Sequence, residues 1–322
     1  MLEEERGMAT RRSDERIEEE RAPPPRRPAP RRAELDDWLN ARIFHPLAHR
    51  LAALLAATPV TPNMVSIAGG LLIVAAGFLY VGFPWPVSAA LGFAAHALWH
   101  VLDGADGDLA RLTGRASPTG ELVDGVCDYA GHVVLYVLLA AFLAPRLGAW
   151  AWILPALAGA SRVVQANHAE SQRRTYLWRV YGVPWLKQVY QNSDDGLKPG
   201  PVARLFEPLA RLYVAGASLS APLAGRIDAL AERAAHSQAG RERARRVCRE
   251  ESRVPLRLQT LLGSNGRTIA LGLSMALGSP LWFFLVEVSL LNLLLLWSIL
   301  AQRRCDRRIV ERLEANAALL GA

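Results

Sequence analysis

Long apolar runs fall in two blocks of this chain, between residues 60 and 168 and again between 256 and 301, and arginine fills the intervals around them. A helix of about 20 apolar residues crosses the ~30 Å hydrocarbon core of a bilayer. Repeated runs of that length, bordered by positive charge, describe an all-α polytopic membrane protein. The composition is less decisive: 51% hydrophobic residues would suit a soluble protein too, so the distribution carries the inference. A net charge of +7 could serve a nucleic-acid binder, whose lysines and arginines neutralise phosphates. Here the basic residues border apolar spans instead of covering a soluble face, and no nucleic-acid partner is expected.

Residues 1–33 are charged and then proline-rich, with Pro23, Pro24, Pro25, Pro28 and Pro30 among arginines. Such a segment cannot bury a core and reads as a disordered cytosolic tail. Over 34–57, Leu35, Trp38, Leu39, Ile43, Leu47 and Leu51 recur at helical spacing opposite Asp36, Asn40, Arg42 and Arg50. That pattern predicts an amphipathic helix, either lying in the membrane interface or packed on protein. Six transmembrane helices are expected, at 62–82, 86–110, 119–144, 149–168, 257–278 and 280–302. The first four fall in segment 58–168 and the last two in 257–302. Gly263, Asn265 and Arg267 interrupt the fifth span. Between them, 169–256 reads as a cytosolic or interfacial helical insertion with Tyr176, Trp178, Tyr181, Trp185 and Tyr190, and 303–322 as a cytosolic C-terminal tail. Three connectors hold Arg146 as their one basic residue, and the opposite side collects the rest. The asymmetry puts both termini in the cytosol, with the protein in an inner or plasma membrane.

The three cysteines, Cys127, Cys248 and Cys305, have no metal-finger spacing. The first residues, with Glu3, Glu4 and Glu5, lack the charge and apolar core of a secretory signal.

Carboxylates at the ends of apolar spans are costly unless paired, hydrated or bound to a cation, and so point to function. The second span ends in Asp103, Asp106 and Asp108, and the third begins with Asp124 and Asp128. Asp103 and Asp106 are three apart and Asp124 and Asp128 four apart, so each pair shares a helix face. A short connector makes the two helices antiparallel neighbours, and the four carboxylates can converge. Hard oxygen ligands of this kind select Mg²⁺, Mn²⁺ or Ca²⁺. Asp108 is expected to be a solvated interfacial charge.

The order Asp103, Asp106-Gly107, Ala110-Arg111, Gly120, Asp124 and Asp128, with its spacings, is similar to the full signature of the CDP-alcohol phosphotransferase (CDP-alcohol phosphatidyltransferase) family. Thr61-Pro62-Asn63 at the entry to the first span resembles a further family feature. The resemblance implies a membrane transferase of phospholipid synthesis, passing a substituted phosphate from a CDP-alcohol donor to a lipid or polar alcohol acceptor and releasing CMP. It implies two Mg²⁺ or Mn²⁺ ions held by Asp103, Asp106, Asp124 and Asp128, with Asp128 also the general base. The CDP moiety would lie against Asn63, Gly107, Ala110, Arg111 and Gly120. Arg111 suits a diphosphate oxygen through its forked donors; Asn63 equally suits an ordinary helix start, and close helix approach is the simpler account of Gly120. Trp38 to Arg42 and Thr58 to Asn63, with the Asp103 to Gly107 stretch, resemble members handling inositol phosphates. The long insertion departs from compact members.

Arg162 and Gln165 share a face of the fourth span and could receive the acceptor, with snorkelling of Arg162 towards the cytosol as the alternative. His96 and His100 share a face with Asp103 and raise a zinc alternative, but no Glu stands beside His96 as a zincin motif needs. His132, one turn after Asp128, is either its partner or an ordinary interior polar residue. Two other function classes fit the same aspartates: a divalent-cation carrier and an inactive membrane scaffold. The glycine, alanine and arginine of the motif have no place in a carrier, and nothing is missing from the motif to favour a scaffold. Membrane lipids are the expected surroundings, and a homodimer is compatible with the sequence.

Overall fold

The computed structural model describes residues 34–183 and 221–320. The described residues are helical throughout, with no strand. A π-helical turn, Asn40–Phe44, runs into α1 (His45–Leu55). Next come α2 (Pro62–Gly82), α3 (Val87–Leu112), α4 (Pro118–Leu147) and α5 (Trp150–Tyr181). The second half holds α6 (Ala224–Ala234), α7 (Gln238–Glu251), α8 (Arg253–Leu261), α9 (Ser264–Ala276), α10 (Leu281–Val288) and α11 (Leu290–Leu320). The expected tail of residues 1–33, and Trp185 and Tyr190 of the expected insertion, lie outside the described residues.

Among the described residues, three stretches are long and apolar enough to cross a membrane: Pro62–Gly82, Thr119–Leu147 and Leu281–Ala315, the last interrupted at Ser289. They make the chain an integral membrane protein. The predicted fifth span, 257–278, does not form one helix. It divides at Leu262 and Gly263 into α8 and the 13-residue α9, which at 1.5 Å per residue is ~20 Å long, short of a full hydrocarbon core.

Helix starts and stops reflect local chemistry. Thr61 caps α2 by accepting from Met64 N at 3.3 Å, with Pro62 at the first helical position. Ser117 does the same for α4 through Gly120 N at 3.1 Å, ahead of Pro118. Gly114 turns the chain between α3 and α4 at φ +67, a conformation that L side chains resist. α2 packs against both α3 and α4. At its crossing with α4, a Cβ on Gly70 would stand 2.9 Å from the Cys127 carbonyl oxygen, and one on Gly131 2.9 Å from that of Gly70. Glycine at both positions lets the backbones meet, as small residues do between membrane helices.

α1 is amphipathic in an uncommon sense. It buries Ala48 and Ala52 against Val101, Ala105 and Leu109 of α3, and leaves Leu47 and Leu54 exposed, as is Ile43 in the π-helical turn before it.

α5 and α11 both run further than their predicted spans. α5 continues from 168 to Tyr181, and α11 from 302 to Leu320 through the segment expected to be a tail. Tyr176 and Val180 of α5 and Ile309 and Leu313 of α11 enclose a second core with Val247 and Cys248 of α7. Burial of this helical seam gives the extensions a reason to stay folded. Arg179 and Asp306 lock it with a buried pair at 2.9 Å.

A buried polar network holds the broken α8–α9 junction. Arg267 donates to Glu287 Oε1 at 3.0 Å, to Gln165 Oε1 at 2.6 Å, and to the carbonyls of Leu262 and Gly263 that the break exposes. Gln165 Nε2 donates to Asn292 Oδ1 at 2.9 Å and to the Glu287 carbonyl at 3.2 Å. Irregular backbone persists in a protein interior where side chains satisfy its carbonyls. Removing one partner of a buried ion pair typically costs about 3–5 kcal/mol. Arg267→Met should therefore melt far below wild type in detergent, while Arg226→Ala, which removes an exposed pair with Glu314, should melt close to it.

Candidate metal centre and nucleotide site

The aspartates come together because the short turn at Gly114 joins α3 to α4 and α2 packs on both. One oxygen each of Asp103, Asp124 and Asp128 lies within 4.8 Å of the others. Asp103 is in hydrogen-bond contact with Asp128, and Asp106 with Asp124. Asp106 Oδ2 also accepts from Ser66 Oγ of α2 at 2.6 Å. Two carboxylates in such contact must share a proton or a cation. Four of them, from two pairs, make a donor set of hard oxygens that suits Mg²⁺ or Mn²⁺.

Asp106 is buried and the other three are half-buried. Asp128 is held from two further sides. Its Oδ1 accepts from Trp99 Nε1 at 2.9 Å, and its carbonyl accepts from His132 Nδ1 at 2.8 Å. His132 is thus a direct backbone partner of Asp128.

Around this cluster stand the residues expected at the nucleotide. Asn63 begins α2, and its Oδ1 would lie 3.5 Å from a Cβ on Gly120, so α2 and α4 start side by side. A Cβ on Gly107 would stand 3.3 Å from an Arg111 guanidinium nitrogen, so the glycine leaves Arg111 room to fold back along α3. Ala110 is half-buried, and its carbonyl accepts from Arg115 N at 2.9 Å, closing the end of α3.

Asp108 differs from its expectation as a solvated charge. It is 6% exposed, forms a tight pair with Arg111, and lies 3.6 Å from His49 Nδ1 of α1. The packing of Ala48 and Ala52 on α3 closes over it, and a buried carboxylate needs the polar partners beside it. Asp108 therefore links α1 to the arginine of the motif.

Arg162 lies with its guanidinium 6.0 Å from the Tyr136 ring centroid, donates to the Tyr136 hydroxyl at 3.5 Å, and is near enough to Asp128 to act on its charge. Gln165, its expected companion, is fully buried with its amide engaged by Arg267, Glu287 and Asn292. His96 and His100 do not converge with the aspartates. Both ring Nε2 atoms turn to Thr268 Oγ1 of α9, at 3.4 and 2.9 Å.

Sequence reasoning missed Ser66 and Trp99. Each carried a signal of spacing: Ser66 is one turn after Asn63 and Trp99 one turn before Asp103, on the faces the motif already defines.

No curated protein matches the chain. Residues 59–182 match a protein-family model described as CDP-alcohol phosphatidyltransferase, a stretch that runs from the approach to α2 to the end of α5 and contains all four aspartates. Over residues 59–182 the chain is thus similar to the CDP-alcohol phosphatidyltransferase family.

Proposed function

We propose that this protein transfers a substituted phosphate group from a CDP-alcohol to an acceptor hydroxyl, in phospholipid synthesis, with release of CMP. The observation that carries the reading is the convergence of Asp103, Asp106, Asp124 and Asp128 inside the matched domain. When bound, two Mg²⁺ or Mn²⁺ ions would neutralise these carboxylates and stabilise charge on the entering and leaving oxygens.

The chain's own residues divide the remaining work. Asp128 takes the proton of the acceptor hydroxyl, whose oxygen bonds to the phosphorus distal to cytidine as the bond to CMP breaks. Arg111 binds a diphosphate oxygen, held for that purpose by Asp108. Asn63 and Gly120 border the nucleotide from α2 and α4, and Gly107 and Ala110 keep α3 slim enough for it. Arg162 receives the polar part of the acceptor from the α5 side. Gln165 contributes by fixing α5 to α9 and α10 through its buried amide.

In the membrane we place six crossings with both termini and the active site on the cytosolic side, the fifth being the short α9 below its arginine-capped break. The exposed apolar residues of α1 would then rest in the interface. An inositol-type head group is the substrate reading that Trp38 to Asn63 and Asp103 to Gly107 favour.

The purified protein should release CMP from at least one of CDP-diacylglycerol, CDP-inositol, CDP-choline or CDP-ethanolamine when offered acceptor alcohols. Divalent-ion transport without CMP release would establish a carrier instead, and neither activity a scaffold. Turnover should vanish in excess chelator and return with Mg²⁺ or Mn²⁺; full turnover in chelator would overturn the metal assignment.

Asp128→Asn should lower turnover by at least about 10²-fold, the usual cost of losing a general base, with more from the weakened metal site. The amide is close to isosteric, so gel filtration in detergent should show a folded protein. Glu232→Gln, exposed on α6, is the control and should match wild type. Near-normal turnover by folded Asp128→Asn would place the base elsewhere.

Arg162→Ala should raise KM for the acceptor more than KM for the CDP-alcohol. Equal effects on both would make the arginine structural.

A further inference from the structure

Three histidines and a tryptophan fill the space behind Asp128. Trp99 sits on α3 between His96 and His100, and His132 faces it from α4; all four side chains are buried. The Trp99 ring centroid is 4.4 Å from that of His100 and 5.7 Å from that of His96, and His132 meets it edge-on at 4.8 Å. Across the interface with α2, a Cβ on Gly69 would already be in contact with the indole at 3.5 Å.

The surrounding rings are themselves anchored. Thr268 of α9 bonds His100 and His96, Phe44 stacks on His100 at 4.8 Å, and His132 donates to the Asp128 carbonyl. The indole therefore has little freedom to rotate. Its single donor, which when buried must find a partner, goes to Asp128 Oδ1 at 2.9 Å.

We propose that Trp99 is a positioning residue for the metal centre: clamped by His96, His100 and His132, its indole N–H fixes the Asp128 carboxylate in the orientation with which the cluster takes a divalent cation. The neutral donor uses one lone pair of Oδ1 and leaves the rest of the carboxylate free, so it orients without neutralising. The proposal rests on the reading of Asp128 as a metal ligand. Loss of a partner that orients a metal ligand typically costs 10–100-fold in affinity or activity.

The test measures Mn²⁺ binding to the full-length protein in detergent, by the magnetic resonance of free Mn²⁺, for wild type, Trp99→Phe and Trp85→Phe. Trp85 is the matched control: its indole donates to the Ala276 carbonyl at 3.1 Å, away from the aspartates. Trp99→Phe should raise the Mn²⁺ dissociation constant about 10-fold or more, with Trp85→Phe unchanged. In the CMP assay Trp99→Phe should lower kcat at wild-type KM for the donor. Equal Mn²⁺ affinity in the two variants overturns the proposal. Because the Mn²⁺ readout is independent of turnover, a wild type that binds Mn²⁺ but releases no CMP would count against the transferase reading alone. A wild type that binds no Mn²⁺ would overturn both.

If Trp99→Phe does not elute as a folded species, the indole resonances of the nine tryptophans in ¹⁵N-labelled wild type decide the matter during Mg²⁺ titration. One resonance that moves with the titration and loses its response in Asp128→Asn supports the proposal; nine unmoved resonances overturn it.

Discussion

Two carboxylates in hydrogen-bond contact repel unless a proton or cation lies between them, and this molecule sets two such pairs side by side on α3 and α4. At 4 Å and an effective dielectric of 20, one pair of unit charges already interacts by ~4 kcal/mol. The helices must therefore be forced together by packing that exceeds the repulsion. The glycine contacts of α2 with α4, the α2–α3 interface and the bracing of α3 by α1 and α9 serve that purpose. A bound cation would relieve that repulsion, and metal binding would then be coupled to the integrity of this end of the bundle.

The same geometry explains why small residues and buried polar ones occur together here. Glycine and alanine bring backbones close, and that closeness removes water from Ser66, Asp106, Asp108, Trp99 and the three histidines. Each must then find a protein partner. Ser66 meets Asp106, Trp99 meets Asp128, and Asp108 meets Arg111 and His49. Through Asp108 the motif arginine is tied to α1, so a charge change there would not be neutral.

Much of the site was legible because helical periodicity is local. Asp103 and Asp106, or Asp124 and Asp128, share a face by spacing alone, and a five-residue connector leaves little choice but an antiparallel pair. Long-range partners were not legible. Asp108 has the spacing of a surface charge, and only the approach of His49 from α1 buries it. Gln165 has the spacing of a residue facing the substrate, and only Arg267, 102 positions later, shows it engaged. α11 continues past the expected sixth span for a similar reason: Arg303, Arg304, Arg307 and Arg308 have the spacing of a polar tail, while Cys305, Ile309 and Leu313 on another face pack in one core with α5 and α7.

The family match ends at residue 182, yet the site depends on helices nearer the C-terminus. α9 reaches back to α3, where Thr268 anchors His96 and His100, and it is held in place by Arg267 at a break that would otherwise leave carbonyls unsatisfied. Arg267 in turn engages Gln165 of α5 and Glu287 of α10. Two sets of polar contacts, made by the adjacent Arg267 and Thr268 of α9, thus tie the same helix to the broken α8–α9 junction and to the rings packed around Trp99. The matched domain supplies the four aspartates, and the second half of the chain supplies much of the packing that holds them in register.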